Sequence, residues 1–256
     1  MSVVVAIHSF RGGTGKSNTT ANLAALIAQT GKRVGIIDTD IQSPGIHVIF
    51  GLSADKIRFA LNDFLWGKCR IQEAAYDVTA VAVPPGAELS PRAKIYLIPS
   101  SVRSGEIARV LREGYDVGKL NDGIQQLVTE LELDYLFIDT HPGVNEETLL
   151  SIAISDKFLL IMRPDNQDFQ GTAVTVELAH RLEVREILLI INKVPQGLDR
   201  DALKTQIEST YRAPVIGMLP LNTEMASLAS SGIFTTVYPN HPFSLELRRI
   251  AARLAE

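Results

Sequence analysis

Residues 10–17 read Phe10-Arg11-Gly12-Gly13-Thr14-Gly15-Lys16-Ser17, and this segment decides the fold of the chain. It stands between an apolar run, Val3–His8, and residues 16–30, whose apolar side chains recur at helical spacing. A glycine-rich turn between a strand and a helix places backbone N–H groups around an anion. The segment therefore predicts a phosphate-binding loop at the start of an α/β fold.

The residue types of this segment suit a polyphosphate bound together with Mg²⁺. Its glycines allow the backbone to turn its N–H groups inward. The Lys16 ammonium group can reach the β- and γ-phosphates, and the Ser17 hydroxyl can bind Mg²⁺. The predicted nucleotide-binding residues at this turn are Gly12, Gly13, Thr14, Gly15, Lys16, Ser17 and Asn18.

The composition narrows the class of protein. The chain has 256 residues, a formal net charge of −4 at pH 7 and one cysteine, Cys69. One cysteine cannot form an intramolecular disulfide or hold an iron–sulfur cluster alone, which favours the reducing cytoplasm. The net charge excludes a generally basic nucleic-acid surface, and no apolar run approaches the ~20 residues of a membrane span. We expect a single cytoplasmic domain over residues 1–256.

Short apolar runs alternate with helical patterns along the chain. The predicted strands are Val3–His8 and residues 34–37, 95–98, 135–138, 158–162, 187–191 and 215–218, and the predicted helices include residues 16–30, 120–131, 223–231 and 243–255. Residues 79–92 carry three prolines and are predicted to form a surface loop. Strands that are apolar throughout and alternate with helices indicate parallel crossovers with both sheet faces covered. We predict a three-layer, Rossmann-like α/β fold of the P-loop NTPase class, with a mostly parallel central sheet flanked by helices on both faces.

Carboxylates follow two of the predicted strands. Asp38-Thr39-Asp40 comes after residues 34–37, and Asp139 comes after residues 135–138. Ligands bind beyond the carboxyl ends of parallel strands. A carboxylate beside a γ-phosphate can accept a hydrogen bond from water and align it for attack. Asp139, after four apolar residues, has the Walker B arrangement and is predicted to lie near Mg²⁺.

The glycine-rich turn resembles the deviant P-loop of the MinD/ParA family, of the SIMIBI class, in which Lys-Gly-Gly precedes Gly-Lys-Ser/Thr. The resemblance implies an ATPase that binds ATP and ADP with Mg²⁺ and closes into a nucleotide-sandwich homodimer. Arg11 matches the family's lysine, which reaches across the dimer to the partner's ATP. Asp40 matches the second carboxylate of the family's Asp-x-Asp, which positions the attacking water. The resemblance thus implies a catalytic set of Lys16, Asp40 and Arg11, and a metal set of Ser17, Asp38 and Asp139.

Some residues depart from the family pattern. Phe10 stands where the general P-loop pattern has glycine, and arginine at position 11 is a planar fork rather than a flexible point charge. His141 replaces a proline in the segment Thr140-His141-Pro142-Gly143, and we interpret it as a substitution in a loop facing the cleft rather than as a base. Gly143 is predicted to keep a backbone N–H free to sense the γ-phosphate, as switch II does.

The residues after the predicted strand at 187–191 bear on the choice of base. Asn192-Lys193-Val194-Pro195 lacks the aspartate that guanine-specific GTPases carry at the fourth position. The family has an asparagine at the matching strand end that contacts adenine, and the Asn192 amide offers both a donor and an acceptor. A turn-forming asparagine is the alternative interpretation. The family's loop that flanks the adenine is matched by Pro220, Leu221 and Asn222.

The resemblance also implies partners. ATP is the ligand, a nucleotide-dependent homodimer is the active state, and a partner protein stimulates slow hydrolysis. The dimer then positions a cellular cargo, a division site or a plasmid. Nonspecific DNA binding stays open, because the net charge argues against it while local arginine clusters are available. Residues 243–255 mix leucines with arginines, as core-packing helices do, and we expect no direct membrane binding.

Two alternatives to an ATP-driven switch stay open on the sequence. One is a P-loop enzyme that transfers phosphate to a small metabolite, and the other is a regulatory module that binds ATP and hydrolyses it weakly. Cys69 stands alone, which argues against nitrogenase-like and iron–sulfur relatives that need paired cysteines. The departures at Arg11 and His141 are compatible with weak hydrolysis.

Overall fold

The computed structural model describes residues 2–256 as alternating strands and helices. The strands are β1 (Val3–His8), β2 (Arg33–Asp38), β3 (Tyr76–Asp77), β4 (Lys94–Ile98), β5 (Tyr135–Asp139), β6 (Lys157–Met162), β7 (Glu186–Val194) and β8 (Val215–Pro220). The helices are α1 (Lys16–Ala28), α2 (Ile46–Ile49), α3 (Leu61–Leu65), α4 (Ser104–Glu113), α5 (Val117–Glu130), α6 (Glu146–Ala153), α7 (Asn166–Arg181), α8 (Arg200–Tyr211), α9 (Thr223–Leu228), α10 (Phe234–Val237) and α11 (Pro242–Leu254). Short 3₁₀ turns lie at Ala54–Lys56, Ile71–Ala74 and Thr79–Ala82.

These eight strands join one sheet in the order β3-β4-β2-β5-β1-β6-β7-β8. Each neighbouring pair among them is parallel except β3 with β4. Asp38 at the end of β2 is in register with Asp139 at the end of β5, and β1 lies on the other side of β5. The topology therefore gathers the glycine-rich turn and both strand-end carboxylates at one edge of the sheet, where ligands bind in such folds.

Two hydrophobic cores lie on the two faces of the sheet. β1 alternates between them, since Val4 and Ala6 join one core and Val5 and Ile7 join the other. Helices α5, α6, α7 and α8 complete the first core, and α1, α10 and α11 complete the second. Each buried valine, leucine or isoleucine contributes roughly 1.5–3 kcal/mol. The predicted α/β fold, with a mostly parallel sheet between helical layers, is confirmed.

Several element boundaries differ from the sequence prediction. β7 continues to Val194, so Asn192 lies within the strand rather than after it. α9 ends at Leu228 because Ala229 and Ser230 adopt left-handed backbone with φ angles of 49° and 59°. The antiparallel edge strand β3 has two residues, too few to show any periodicity in the sequence. The bounds of β3 and β7 are set by pairing with neighbouring strands, whereas the end of α9 is set by its local backbone.

The helix α11 packs as the sequence analysis expects of a core helix. Leu247, Ile250 and Leu254 are buried in the second core, while Arg248 and Arg249 face solvent. In the described part of the chain, none of the helices combines the length and the apolar character needed to cross a membrane.

Candidate functional site

The glycine-rich turn forms a cradle between β1 and α1. Gly13 and Gly15 have positive φ angles of 75° and 96°, which residues with a Cβ rarely adopt. Gly15 is the N-cap of α1, and none of the described side chains caps this helix. The first amides of α1 are therefore left for an anion, and the helix dipole adds positive potential at the same place.

A cavity of about 290 Å³ lies over this turn. Its lining combines the turn with residues from the loops after β2 and β5. The lining residues are Ser9, Gly12, Gly13, Thr14, Gly15, Lys16, Ser17, Asn18, Asp40, Ser43 and Pro142. The structure thus brings together Asp40 and all seven nucleotide-binding residues predicted at the turn. We call this space the phosphate cavity.

Lys16 lies beside the phosphate cavity in a buried ion pair. It is 7% exposed, and its Nζ donates to Oδ1 of Asp139 at 2.9 Å. The Thr20 hydroxyl donates to the same oxygen at 3.0 Å. An incoming phosphate must therefore compete with the Asp139 carboxylate for the ammonium group.

Asp38 and Asp139 form a pair of buried carboxylates. Oδ1 of Asp38 accepts from the backbone N–H of Asp40 at 3.0 Å. The Oδ2 atoms of Asp38 and Asp139 are buried and accept no hydrogen bond from residues 2–256. Burial and the adjacent Asp139 charge raise the pKa of Asp38 well above its ordinary value. Orphaned carboxylate oxygens are ligands that Mg²⁺ or its bound waters satisfy, so the residues present fit this ion.

Asp40 is held by its own loop and by the loop after β5. Its Oδ1 accepts from the Ser43 backbone N–H at 3.1 Å and from the Ser43 hydroxyl at 2.9 Å. His141 Nδ1 lies 2.7 Å from the same oxygen. Burial alone would raise the pKa of Asp40, but the hydrogen bond to His141 and the nearby Lys16 charge outweigh burial and hold this pKa below its usual value. The contact of His141 with a predicted catalytic carboxylate was not expected from the sequence.

His8, at the end of β1, is a second histidine that sequence reasoning missed. The Thr140 hydroxyl donates to the Ile7 carbonyl at 3.0 Å, so His8 Nδ1 is the donor in its 2.7 Å contact with that hydroxyl. Burial, followed by the charges of Lys16 and His141, lowers the pKa of His8 to about 3. His8 is therefore a neutral link between the start of the glycine-rich turn and the loop after β5.

A second cavity of about 390 Å³ adjoins the first and shares Gly13, Gly15 and Asn18 with it. Its walls come from the glycine-rich turn, α1, the end of β7, the loop after β8, the region of α9, and α11. The predicted adenine-flanking residues Pro220, Leu221 and Asn222 all line this cavity, as does Asn192. Its apolar walls and scattered amide groups suit a flat heterocyclic base. We call it the base cavity.

Asn192 and Lys193 tie the base cavity to the glycine-rich turn. Asn192 Nδ2 donates to the Thr14 carbonyl at 2.7 Å, and its Oδ1 accepts from the Lys193 backbone N–H at 2.8 Å. Lys193 Nζ donates to the Gly13 carbonyl at 2.7 Å. Both ends of the Asn192 amide are thus engaged within the chain, and its contact with adenine stays a prediction. Lys193 was missed, because the Asn-Lys pair at a strand end gives no sign of the contact with the distant Gly13 carbonyl.

A family model, the CobQ/CobB/MinD/ParA nucleotide binding domain (CbiA), matches residues 5–235. The chain belongs to this family. The match ends within α10, so it covers all of the phosphate cavity and the walls of the base cavity except those from α11. The family predicted from the sequence is confirmed.

Relatives of the CobQ/CobB/MinD/ParA family match over nearly the whole chain. An uncharacterized ATP-binding protein of Methanocaldococcus jannaschii is 29% identical over 255 residues, which cover 99% of this chain and 88% of that protein. The septum site-determining protein MinD of Bacillus subtilis is 25% identical, with coverage of 99% and 89%. Among solved structures, MinD of Pyrococcus horikoshii complexed with Mg-ADP has a TM-score of 0.79 at 20% identity, and the match covers 100% of this chain and 97% of that chain. This neighbour's ligand agrees with the cofactors predicted from the sequence.

Arg11, at the position of the family's cross-dimer lysine, makes ion pairs within its own chain. Its Nη1 lies 3.6 Å from Asp168 Oδ1 and 3.7 Å from Asp165 Oδ1, and Arg163 pairs with both carboxylates at 3.1 Å. Arg11 is 39% exposed, and a pair of this length near solvent contributes little stability. The arginine can therefore leave these carboxylates at small cost, and its action across a dimer stays a prediction.

Two further family positions have local contacts. Phe10 packs on Gly171 of α7, where any Cβ would collide with the phenyl ring. This packing explains why a large apolar side chain replaces the glycine of the general P-loop pattern. The backbone N–H of Gly143 donates to the Ser9 carbonyl at 3.3 Å, so the predicted sensing of a γ-phosphate requires this bond to open.

Proposed function

We propose that this chain is an ATP-hydrolysing switch that closes into a homodimer with ATP and Mg²⁺ and opens after hydrolysis to ADP. The phosphate cavity carries the proposal, because it joins open helix amides, a lysine and the Asp40 carboxylate at one edge of the sheet. The adjoining base cavity supports an adenine nucleotide, since the aspartate that selects guanine is replaced by Pro195.

Nucleotide binding uses backbone amides and carboxylate oxygens that lack partners within the chain, together with Lys16, which has to change its partner. The amides of residues 12–18 take the phosphates, and Lys16 turns from Asp139 to the β- and γ-phosphates. Ser17, Asp38 and Asp139 are the residues that would hold Mg²⁺, directly or through water. Magnesium supplies charge neutralisation on the phosphate oxygens. The exchange of partners by Lys16 couples phosphate binding to the release of Asp139.

Hydrolysis uses Asp40 to align the attacking water. The carboxylate lines the phosphate cavity, and its low pKa keeps it an acceptor at neutral pH. Lys16 stabilises charge on the transferred group. Arg11 reaches the partner's phosphate only when two chains meet, so hydrolysis is slow until a dimer forms and a partner protein stabilises it.

The cellular role follows from the relatives rather than from the site. MinD of Bacillus subtilis is a septum site-determining protein, which supports a role in positioning a cargo, a division site or a plasmid from within the cytoplasm. The ATP and ADP states differ in the contacts made by the γ-phosphate. The difference in binding free energy between the two states is what can open or close a surface for a partner. The partner we propose is a protein that stimulates hydrolysis, and nonspecific DNA stays an open alternative. The packing of α11 into the second core supports the expectation that this helix is not a lipid anchor.

The test compares ADP release by the purified protein in Mg²⁺ with release by Asp40→Ala. We expect slow turnover that the substitution abolishes while ATP binding is kept, and light scattering should report a dimer with ATP and a monomer with ADP. If both proteins bind ATP and are equally inert, the chain is a non-hydrolysing module. A monomer in both nucleotides would remove the role of Arg11 across a dimer.

A further inference from the structure

The two carboxylate oxygens of Asp40 have different surroundings. Oδ1 accepts from three donors, namely the Ser43 N–H, the Ser43 hydroxyl and His141 Nδ1. Three donors exceed the two lone pairs of a carboxylate oxygen, so Oδ1 is saturated. Oδ2 accepts from no group among residues 2–256 and is the oxygen left for a ligand in the phosphate cavity.

We propose that His141 is a positioning residue that clamps Oδ1 of Asp40 so that Oδ2 meets the attacking water. This inference rests on the proposed function and adds to it a residue for which the family has proline. His141 does not touch the substrate; it acts through Asp40. Its imidazole must carry its proton on Nδ1, because the carboxylate facing it is an acceptor only.

The clamp joins two loops that are far apart in sequence. Asp40 follows β2 and His141 follows β5, 101 positions later. Thr140, next to His141, is anchored through its hydroxyl to the Ile7 carbonyl and to His8. The imidazole is therefore presented from a fixed point of the sheet edge, whereas Ser43 belongs to the same loop as Asp40 and moves with it.

Burial strengthens the contact between these loops. The side chains of Asp40 and His141 are 12% and 21% exposed, so water screens the hydrogen bond only in part. A donor that fixes a catalytic carboxylate acts on alignment in the transition state rather than on ground-state binding. Loss of the clamp should therefore lower kcat and leave KM for ATP nearly unchanged.

The kinetic test compares two substitutions of similar size. His141→Leu removes the donor, and His141→Asn restores it because the amide Nδ2 can take the place of Nδ1. We expect His141→Leu to lower kcat roughly tenfold to a hundredfold with KM within about twofold, and His141→Asn to regain most of the loss. His180→Asn, at an exposed position on α7, is the control and should match the wild type. Equal activity of all variants, or equal loss in the Leu and Asn variants, would overturn the proposal.

A spectroscopic readout separates this proposal from the proposed function. The chain has five histidines, so the ring nitrogens can be assigned by ¹⁵N NMR with His141→Asn as the reference. We expect an Nδ1–H ring for His141 that changes its signal in Asp40→Ala. An Nε2–H tautomer overturns the clamp even if ATP is hydrolysed. A protein that is inert toward ATP but shows the Nδ1–H ring and its dependence on Asp40 contradicts the proposed function and keeps the clamp.

Discussion

The phosphate cavity and the base cavity meet at the same turn but are built in different ways. Most of the phosphate cavity is lined by one continuous segment, residues 12–18, to which the loops after β2 and β5 add a few residues. The base cavity is lined by apolar and amide side chains from α1, β7, the loop after β8, α9 and α11. Binding of phosphates requires particular residue types at a particular spacing. Binding of a flat base requires a cavity of matching shape, which many different side chains can form.

The comparison indicates that phosphate binding depends on a short segment of the chain, whereas binding of the base depends on residues from many elements. A cradle for phosphate depends on the glycines at positive φ, Gly13 and Gly15, and on the charge of Lys16. The base cavity can exchange side chains and keep its form. The contacts from Asn192 and Lys193 to the turn are what join the two.

The largest effect should come from the glycine where the two cavities meet. At Gly15, with φ 96°, a Cβ would collide with the Asn192 amide, so Gly15→Ala both strains the backbone and displaces that side chain. We expect the free energy of unfolding to fall by about 3 kcal/mol, which lowers Tm by roughly 5–10 °C. Thermal unfolding of the nucleotide-free protein measures it.

Gly12→Ala is the matched control in the same turn. A Cβ there would meet nothing within 4 Å, and its φ is not positive. Its free energy of unfolding should stay within about 0.5 kcal/mol of the wild-type value, so its Tm should be nearly unchanged. Equal shifts in the two variants would show that neither the positive φ of Gly15 nor the closeness of the Asn192 amide makes a Cβ at position 15 costly.

The phosphate end was predictable from sequence to the extent that its chemistry is local. Residues 12–18, Asp38, Asp40 and Asp139 were predicted as site residues, because each stands at a fixed place relative to an apolar strand. The structure places them at one edge of the sheet, and their roles stay predictions. The parallel sheet followed from the same strands. Lys193 was missed because its partner lies 180 positions away, a separation that no local pattern encodes.

The same reason explains two features that the sequence did not predict, namely the contact of His141 with Asp40 and the edge strand of the sheet. His141 was interpreted as a loop substitution, because its partner Asp40 comes from another strand end and only the fold brings them together. The two-residue strand β3 depends on pairing with β4. Tertiary contacts decide such features, and propensity does not.

A second test concerns the phosphate end alone. His8 stays neutral in the folded chain to about pH 3, whereas an unfolded histidine gains a proton near pH 6.5. Stability that His8 contributes above pH 6.5 is therefore lost as the pH falls toward its folded pKa. His8→Asn keeps a donor for Thr140 but has no proton to gain. Between pH 6.5 and about pH 4.5, its free energy of unfolding should therefore fall by about 2 kcal/mol less than that of the wild type.

Urea unfolding at several pH values measures this difference. Comparison with the wild type cancels the opposite trend of Asp38, whose raised pKa costs stability as the pH rises. His180→Asn, at an exposed site, should leave the wild-type profile unchanged. A profile for His8→Asn that runs parallel to the wild type would mean that His8 is protonated in the folded chain.

The smallest effect concerns the link between the two cavities. Lys193→Ala removes both the ammonium contact with the Gly13 carbonyl and the methylene wall of the base cavity. We expect the Kd for ATP to rise about threefold to tenfold, since an exposed hydrogen bond is partly screened. Lys193→Met keeps the methylene wall, so its loss of ATP-binding free energy should be about half of that in Lys193→Ala. Lys204→Ala on α8 is the control, and fluorescence titration with an ATP analogue measures all four proteins.

The central claim is that the turn at residues 12–18 holds the phosphates of an adenine nucleotide, and calorimetry tests it most directly. Titration of ATP and of ADP in Mg²⁺ should give binding in the micromolar range, which Lys16→Ala weakens by about a hundredfold or more while the variant stays folded. No heat from either nucleotide, or a folded Lys16→Ala that binds ATP as tightly as the parent, would contradict the account.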